Sequence, residues 1–142
     1  MPDEPLPLEL RLGLRAGSVF YFQSRELTSG QPHFFVVVNR DPIGTKRLLL
    51  TIVTSNIEAV RRRNRERPKT FIEISLADYD ELKVDSAIDC NVVIEKPLSE
   101  LVGMVQRKEV RYHQDLPAII FASLKTAVIA SSVVPDELKQ ML

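Results

Sequence analysis

The chain has 142 residues, 44% of them hydrophobic and 27% charged, which is the size and composition of one ordinary globular domain rather than of a disordered chain. Lys plus Arg equals Asp plus Glu at 19 each, so a global positive field that would attract nucleic acid is excluded. A single cysteine excludes an internal disulfide, and the lack of a long apolar run or a signal peptide predicts a cytoplasmic protein with no membrane segment.

Three predicted strands joined by short turns occupy the first part of the chain. Runs of β-branched and aromatic residues predict these strands at residues 18–23, 33–39 and 46–54. Turn-forming residues at 28–32 join the first two strands, so an antiparallel meander is favoured over βαβ units. Residues 1–16, rich in proline and leucine, are predicted to form a loosely held arm with a short strand at 8–12.

Short helices and strands alternate in the rest of the chain. Ser55 and Glu58 have the spacing of a capping box, which predicts a surface helix from Ser55 to about residue 66, before Pro68. The later predicted elements are strands at 70–75 and 86–94, a helical turn at 97–102 ended by Gly103, a strand near 104–110, a helix from Asp115 to Ser131 and a short helix after Pro135. The sequence therefore predicts a single α+β domain, residues 17–142, on a small antiparallel β-barrel or bent sheet, with a surface helix after the third strand and a long C-terminal helix.

A cluster of arginines lies in and just after the predicted surface helix. Its members are Arg61, Arg62, Arg63, Arg65 and Arg67. Only Ile57 and Val60 are available to anchor that helix, so the guanidinium groups face solvent and form a local positive field suited to phosphate. The alternative is a plain solvated face that Glu58 and Glu66 partly neutralise.

The predicted strand at 86–94 carries a pair of polar residues, Asp89 and Asn91. Strand alternation places both on one face, about 6.5 Å apart, with Ile88, Cys90 and Val92 on the other. The Asp89 carboxylate is either a base or a group that simply faces water. Cys90 is predicted to be a small core residue and not a nucleophile.

Three other side chains have chemistry suited to a phosphate substrate. His33 begins a strand directly after Pro32, and an imidazole suits proton transfer near neutral pH, although a structural role is the alternative. Thr54 and Ser55 end the third strand, where hydroxyl groups beside a helix N-terminus favour an anion, and Ser55 serves equally well as a helix cap. The spacing of the histidines and the cysteine predicts no metal site and no cofactor.

The order of these elements and several short strings resemble the PemK/MazF family of toxins over roughly residues 17–130. The strings are Gly17-Ser-Val-Phe20, Gln31-Pro32-His33 before the apolar strand, Thr54-Ser55-Asn56, Asp85-Ser86 leading to Asn91, and Leu101-Val-Gly103-Met104. The resemblance implies an SH3-like barrel that forms a homodimer, cleaves single-stranded RNA and binds a small antitoxin-like protein.

The resemblance also implies which residues act. Catalysis in the family relies on an arginine helped by a hydroxyl, carboxylate or histidine, but the position matching that arginine holds Gln31. A second pattern in the family, an arginine and an aspartate on the later strand, is matched by Asp89 and Asn91, so neither position supplies a guanidinium. The resulting hypothesis assigns catalysis to His33, Thr54, Ser55 and Asp89. It assigns RNA binding to Gln31, Asn91, Arg61, Arg62, Arg63 and Arg65. The alternative is a non-catalytic barrel that binds a protein or nucleic acid through its basic helix.

Overall fold

The structure is a computed structural model that describes residues 6–24, 27 and 30–142. The strands within these residues are β1 (Val19–Phe22), β2 (His33–Val37), β3 (Arg47–Thr54), β4 (Phe71–Ile74), β5 (Ser86–Asp89), β6 (Ile94–Pro97) and β7 (Arg111–His113). The helices are α1 (Leu8–Gly13), α2 (Pro42–Thr45), α3 (Ile57–Arg63), α4 (Leu98–Gln106), α5 (Ala118–Ala130) and α6 (Asp136–Lys139), with a short 3-10 helix at Pro68–Thr70. None of the helices formed by the described residues is both long and apolar enough to cross a bilayer.

The strands form one antiparallel sheet with the order β4-β5-β3-β2-β1-β7, and β6 pairs with the first half of β3. The predicted meander of β1, β2 and β3 and the small antiparallel sheet are confirmed. Among the described residues no pairing joins β4 to β7, so the sheet is open and does not close into a barrel.

Each face of the sheet carries its own hydrophobic cluster. In β2, Val36 belongs to the cluster that includes Leu124 and Val128 of α5, whereas Phe35 and Val37 belong to the cluster covered by α1 and α4. Successive strand residues point to opposite faces, so a strand between two helical layers must be apolar throughout. The continuous apolar run in β2 is therefore explained by burial on both faces, as predicted.

The N-terminal segment differs from its prediction, although residues 1–5 and part of the turn at 28–32 lie outside the described residues. The strand predicted at 8–12 is wrong, because these residues form α1. The leucines occur at every second position, which fits a strand, but every second leucine is four residues from the next, which fits one face of a helix. Leu10 and Leu14 are buried, whereas Leu8 and Leu12 are exposed. Packing against the sheet selects the helical repeat.

The predicted strand at 86–94 is two strands, β5 and β6, separated by a turn at residues 90–93. The backbone N–H of Val92 donates to the carbonyl of Asp89 across this turn, at 3.2 Å. Cys90 is fully buried, as predicted, but Val92 is 43% exposed and does not share its face. The turn lets β3 pair with β5 near one end and with β6 near the other.

Several elements after residue 97 also depart from prediction, whereas the short helix predicted after Pro135 is confirmed as α6. Gly103 was predicted to end a helix but lies inside α4. Met104, the predicted start of a strand, also belongs to α4. The strand forms later in the chain, as β7. Four buried residues hold α4 against the sheet, namely Leu98, Leu101, Val102 and Met104. The predicted cap of the long helix, Asp115, instead pairs with Arg15 at 2.6 Å, and α5 begins after Pro117.

Candidate functional site

A hollow of about 560 Å³ opens where the start of β2, the ends of β3 and β5, and the C-terminal end of α3 meet. Both charged or polar side chains and aliphatic side chains line it. The lining residues are Leu27, His33, Ile52, Thr54, Arg63, Asn64, Arg67, Asp89, Asn91, Val92 and Val133. The hollow therefore contains several of the residues predicted from the sequence.

Strand register brings His33, Thr54 and Asp89 to this hollow. In the β2–β3 pair Phe34 lies opposite Val53, so the next step of the antiparallel register sets His33 opposite Thr54. In the β3–β5 pair Val53 lies opposite Ile88, which sets Asp89 one step further along β5. Three residues far apart in sequence are thus placed together by hydrogen bonding of the backbone.

The turn between β3 and α3 is fixed by side chains of Thr54 and Asn56. The capping box predicted for Ser55 and Glu58 is wrong: the helix cap is Asn56, whose side-chain oxygen accepts from the N–H of Ala59 at 3.2 Å. The hydroxyl oxygen of Thr54 accepts from the N–H of Asn56 at 3.1 Å. Since that oxygen acts as an acceptor, the hydroxyl hydrogen of Thr54 remains for donation.

The arginine cluster divides between the hollow and the outer surface. Arg63 and Arg67 line the hollow. Arg61 instead pairs with Glu73 and Glu58, and hydrogen bonding to these carboxylates, to Glu73 first, raises the pKa of Arg61 above its ordinary value. Arg62 and Arg65 are exposed and do not line the hollow.

Asp89 is buried and engaged by protein groups, which differs from the predicted alternative of a carboxylate that faces water. Its Oδ2 lies 3.4 Å from Nη2 of Arg63. Its Oδ1 accepts from the backbone N–H of Asn91 at 3.1 Å and from the side-chain amide of Asn91 at 3.0 Å. Because Oδ1 already accepts two hydrogen bonds and Oδ2 faces the guanidinium, the carboxylate is suited to orienting Arg63.

Comparison with known proteins bears on the fold. No protein-family model and no curated protein matches the sequence. A chain in the crystal structure of MazE-MazF (Form-III) from Deinococcus radiodurans is similar in structure, with a TM-score of 0.50, 14% sequence identity, and coverage of 80% of this chain and 91% of that chain. The likeness is one of fold. The sequence resemblance to the PemK/MazF family is thus accompanied by a MazF-like arrangement of strands and helices.

Two further predicted site residues, besides Arg61, Arg62 and Arg65, do not line the hollow of this MazF-like fold. Ser55 is exposed at the start of the turn into α3, and Gln31 is exposed before β2; neither lines the cavity. Within the described residues there is no group of three His, Cys, Asp or Glu side chains that could hold a metal ion. Among the polar residues that line the hollow, His33, Thr54, Arg63 and Arg67 have side chains suited to a phosphate substrate.

Two lining residues, Asn64 and Arg67, were not among the predicted site residues. Arg67 belongs to the arginine cluster and directly precedes Pro68, which cannot continue an α-helix. The sequence therefore contained a local signal that Arg67 lies outside the surface helix. Asn64 has no such signal, because its neighbours are charged and exposed while Asn64 itself is 1% exposed. Only the tertiary structure shows that Asn64 faces inward.

Proposed function

We propose that this chain is a metal-independent, toxin-like endoribonuclease that cleaves single-stranded RNA in the hollow. The observation that carries the proposal is the meeting of His33 and Thr54 with Arg63 and Arg67 in one cavity. An imidazole can act as the base, and a hydroxyl and two guanidinium groups can stabilise the developing charge, which are the two tasks of phosphodiester transfer when no metal takes part. The MazF-like fold supports the same class of activity.

The proposed reaction is attack of the ribose 2′-hydroxyl on the adjacent phosphorus. His33 accepts the 2′-hydroxyl proton while the O2′–P bond forms, and the P–O5′ bond breaks to give a 2′,3′-cyclic phosphate and a 5′-hydroxyl end once the leaving oxygen takes a proton from solvent. Negative charge on the phosphate oxygens rises in the transition state. Arg63 and Arg67 stabilise that charge, and the Thr54 hydroxyl donates to a phosphate oxygen.

The source of the guanidinium groups is the feature by which this chain departs from the family pattern. The resemblance places an arginine where Gln31 stands, yet Gln31 lies outside the hollow. The C-terminal end of α3 and the segment after it provide Arg63 and Arg67 instead. A guanidinium donates in a planar fork that matches phosphate, and its function depends on its place in space and not on the strand that carries it.

A protein partner and a homodimer belong to the same proposal. The similar solved structure is a MazE-MazF complex, which supports an antitoxin-like partner for this chain as well. Such a partner would be acidic where it meets Arg63 and Arg67, because an acidic segment competes with RNA for the same cations. The homodimer implied by the sequence resemblance remains part of the proposal.

The alternative is a non-catalytic module that binds a protein or nucleic acid through α3. The observation that favours it is that Arg62 and Arg65 are exposed and do not line the hollow, so their guanidinium groups are accessible to a partner on the outer surface. The two functions predict different effects of the same substitutions.

The test is incubation of the purified protein with a long single-stranded RNA in the presence of EDTA. Cleavage is expected, with a loss of about 10²–10⁴ in rate for His33→Ala, the range typical of a general base. His113→Ala is the matched control, since the chain has two histidines and His113 lies at β7, away from the hollow. Intact RNA, together with salt-sensitive binding that disappears in Arg62→Ala/Arg65→Ala, would replace the nuclease with the binding module.

A further inference from the structure

We infer that Asn91 is a positioning residue, whose side-chain amide fixes both arginines of the hollow in place. The inference rests on the proposed function, and it assigns Asn91 a role other than the RNA contact predicted from the sequence. Asn91 lines the hollow, but its amide nitrogen donates to protein groups. The three acceptors around that nitrogen are Asn64 Oδ1 at 2.9 Å, Thr70 Oγ1 at 2.9 Å and Asp89 Oδ1 at 3.0 Å.

The first contact fixes the end of α3. Asn64 directly follows Arg63, is 1% exposed, and donates its own amide hydrogen to the carbonyl of Val60 at 3.0 Å. That bond sets the orientation of the Asn64 amide, so its oxygen is the atom that must face Asn91. The last turn of the helix is therefore held against the turn at residues 90–93.

The second contact fixes the segment that carries Arg67. Thr70 is 5% exposed, and its hydroxyl donates to the carbonyl of Arg67 at 2.7 Å, so its oxygen accepts from Asn91. The N–H of Arg67 in turn donates to the carbonyl of Asn64 at 2.9 Å. The chain from Asn64 to Thr70 thus forms a closed loop around the Asn91 amide.

The third contact acts on Arg63 through Asp89. Asn91 donates to Asp89 Oδ1 from both its backbone and its side chain, and Oδ2 of the same carboxylate faces Arg63 at 3.4 Å. Two of the contacts therefore end at segments that carry Arg63 or Arg67, and the third ends at the carboxylate that faces Arg63. On the opposite side of the amide, Oδ1 of Asn91 accepts from the hydroxyl of Ser131, which is fully buried.

An arginine bound to phosphate loses the rotational freedom of a long side chain, and a fixed backbone reduces that loss. We therefore expect Asn91→Ala to weaken the binding of phosphate by Arg63 and Arg67, although Asn91 itself does not touch RNA. The first measurement uses an all-deoxy single-stranded oligonucleotide, which lacks the 2′-hydroxyl and cannot be cleaved. The negative slope of log K against log salt is expected to become shallower by about 0.7 if one arginine no longer binds its phosphate, and by about 1.4 if neither does.

The second measurement is a double-mutant cycle on cleavage. Asn91→Ala is expected to lower kcat/KM by about tenfold or more in the natural chain, and to have no further effect in an Arg63→Ala/Arg67→Ala background. Ser131→Ala is the control, because it removes a hydrogen bond of the same amide and leaves the three donor contacts in place. Its kcat/KM and salt slope are expected to match the natural chain even where its melting temperature falls.

Thr70→Val replaces Asn91→Ala in the test if Asn91→Ala fails to fold. It removes both hydrogen bonds by which the Thr70 hydroxyl links Asn91 to the carbonyl of Arg67, and it leaves the contacts of Asn91 with Asn64 and Asp89 in place. The negative salt slope is expected to become shallower by about 0.7. Cleavage and a salt slope that are both unchanged in Asn91→Ala, or effects that add to those of the arginine substitutions, would overturn the positioning role. A natural chain that binds the oligonucleotide in an Asn91-dependent way but cleaves no RNA would support the positioning role and overturn the nuclease.

Discussion

Arg63 and Asp89 face each other at the wall of the hollow, with Nη2 of the arginine 3.4 Å from Oδ2 of the aspartate. Their burial is unequal: the side chain of Asp89 is 11% exposed and that of Arg63 is 58% exposed. Asp89 keeps two hydrogen bonds from Asn91 if Arg63 moves. The guanidinium can therefore turn toward a phosphate without leaving an unpaired buried charge, and a partly exposed pair of this kind contributes only about 0–1 kcal/mol.

Replacement of Arg63 by alanine is the most direct test of a catalytic guanidinium. Removing one group that stabilises developing charge costs about 10²–10³ in rate, so kcat for RNA cleavage is expected to fall by that factor in Arg63→Ala. Arg62→Ala is the matched control, because Arg62 is adjacent, exposed and outside the hollow. Single-turnover cleavage of a labelled RNA measures both, and equal losses in the two variants would point to a general electrostatic effect instead.

The strands that build the hollow were predictable because their residues carry a local signal. Runs of β-branched and aromatic residues located β1, β2 and β3, and the positions of His33 and Thr54 followed from the ends of those runs. The short turns between the runs then made antiparallel neighbours the natural arrangement. Ends of neighbouring antiparallel strands meet at one edge, so these two residues could be expected to meet.

The part of the site that was not predictable depends on contacts between distant residues. Asn91 bonds to Asn64, 27 positions away, and to Thr70, 21 positions away, and no local pattern encodes either contact. The break between β5 and β6 was missed for a similar reason, since the sequence alternates smoothly through a turn that pairing with β3 imposes. The segment around Leu10 was mispredicted for a related reason. The spacing of its leucines fits both a strand and a helix, and only packing against the sheet selects the helix.

The cap of α3 gives a prediction about stability. Asn56 accepts the hydrogen bond from the N–H of Ala59, so Asn56→Ala is expected to lower the free energy of unfolding by about 1 kcal/mol. Ser55 is exposed and is not the cap, so Ser55→Ala is expected to stay within about 0.5 kcal/mol of the natural chain. Urea unfolding followed by circular dichroism compares the two; a larger loss in Ser55→Ala would mean that the capping box forms after all.

Cys90 is expected to be unreactive in the folded protein. Its side chain is fully buried, and burial, with a smaller effect from the Asp89 charge, raises the pKa of the thiol to about 12. Only the thiolate reacts with thiol reagents, so the native protein at about pH 8 should release negligible chromophore from a disulfide reagent, while the unfolded chain should react at once. The chain has one cysteine, so the expected amplitude on unfolding is one thiol per molecule, and rapid native reaction would show that β5 opens readily.

The contact between His113 and Glu81 makes stability depend on acid pH. Nδ1 of His113 lies 2.6 Å from Oε2 of Glu81, and hydrogen bonding from His113 lowers the pKa of the Glu81 carboxyl below its ordinary value of 4.5. A carboxyl whose pKa is lower in the folded state binds fewer protons there than in the unfolded chain. The contribution of Glu81 to stability is therefore fully present at pH values above the ordinary pKa, which the unfolded chain has. That contribution is lost as the pH falls through the lowered pKa of the folded state.

Substitution of Glu81 by glutamine should remove that dependence. The free energy of unfolding of Glu81→Gln, measured in urea between about pH 7 and pH 3, is expected to be lower at neutral pH and to fall less steeply on the acid side. In a His113→Gln background the same substitution should change the steepness less, since the hydrogen bond that contributes most to the lowered carboxyl pKa is already absent and only the weaker one from the N–H of Gln114 remains. An acid limb equally steep in the natural chain and in Glu81→Gln would show that other carboxyls govern acid unfolding, and that this contact between β7 and the loop before β5 contributes little.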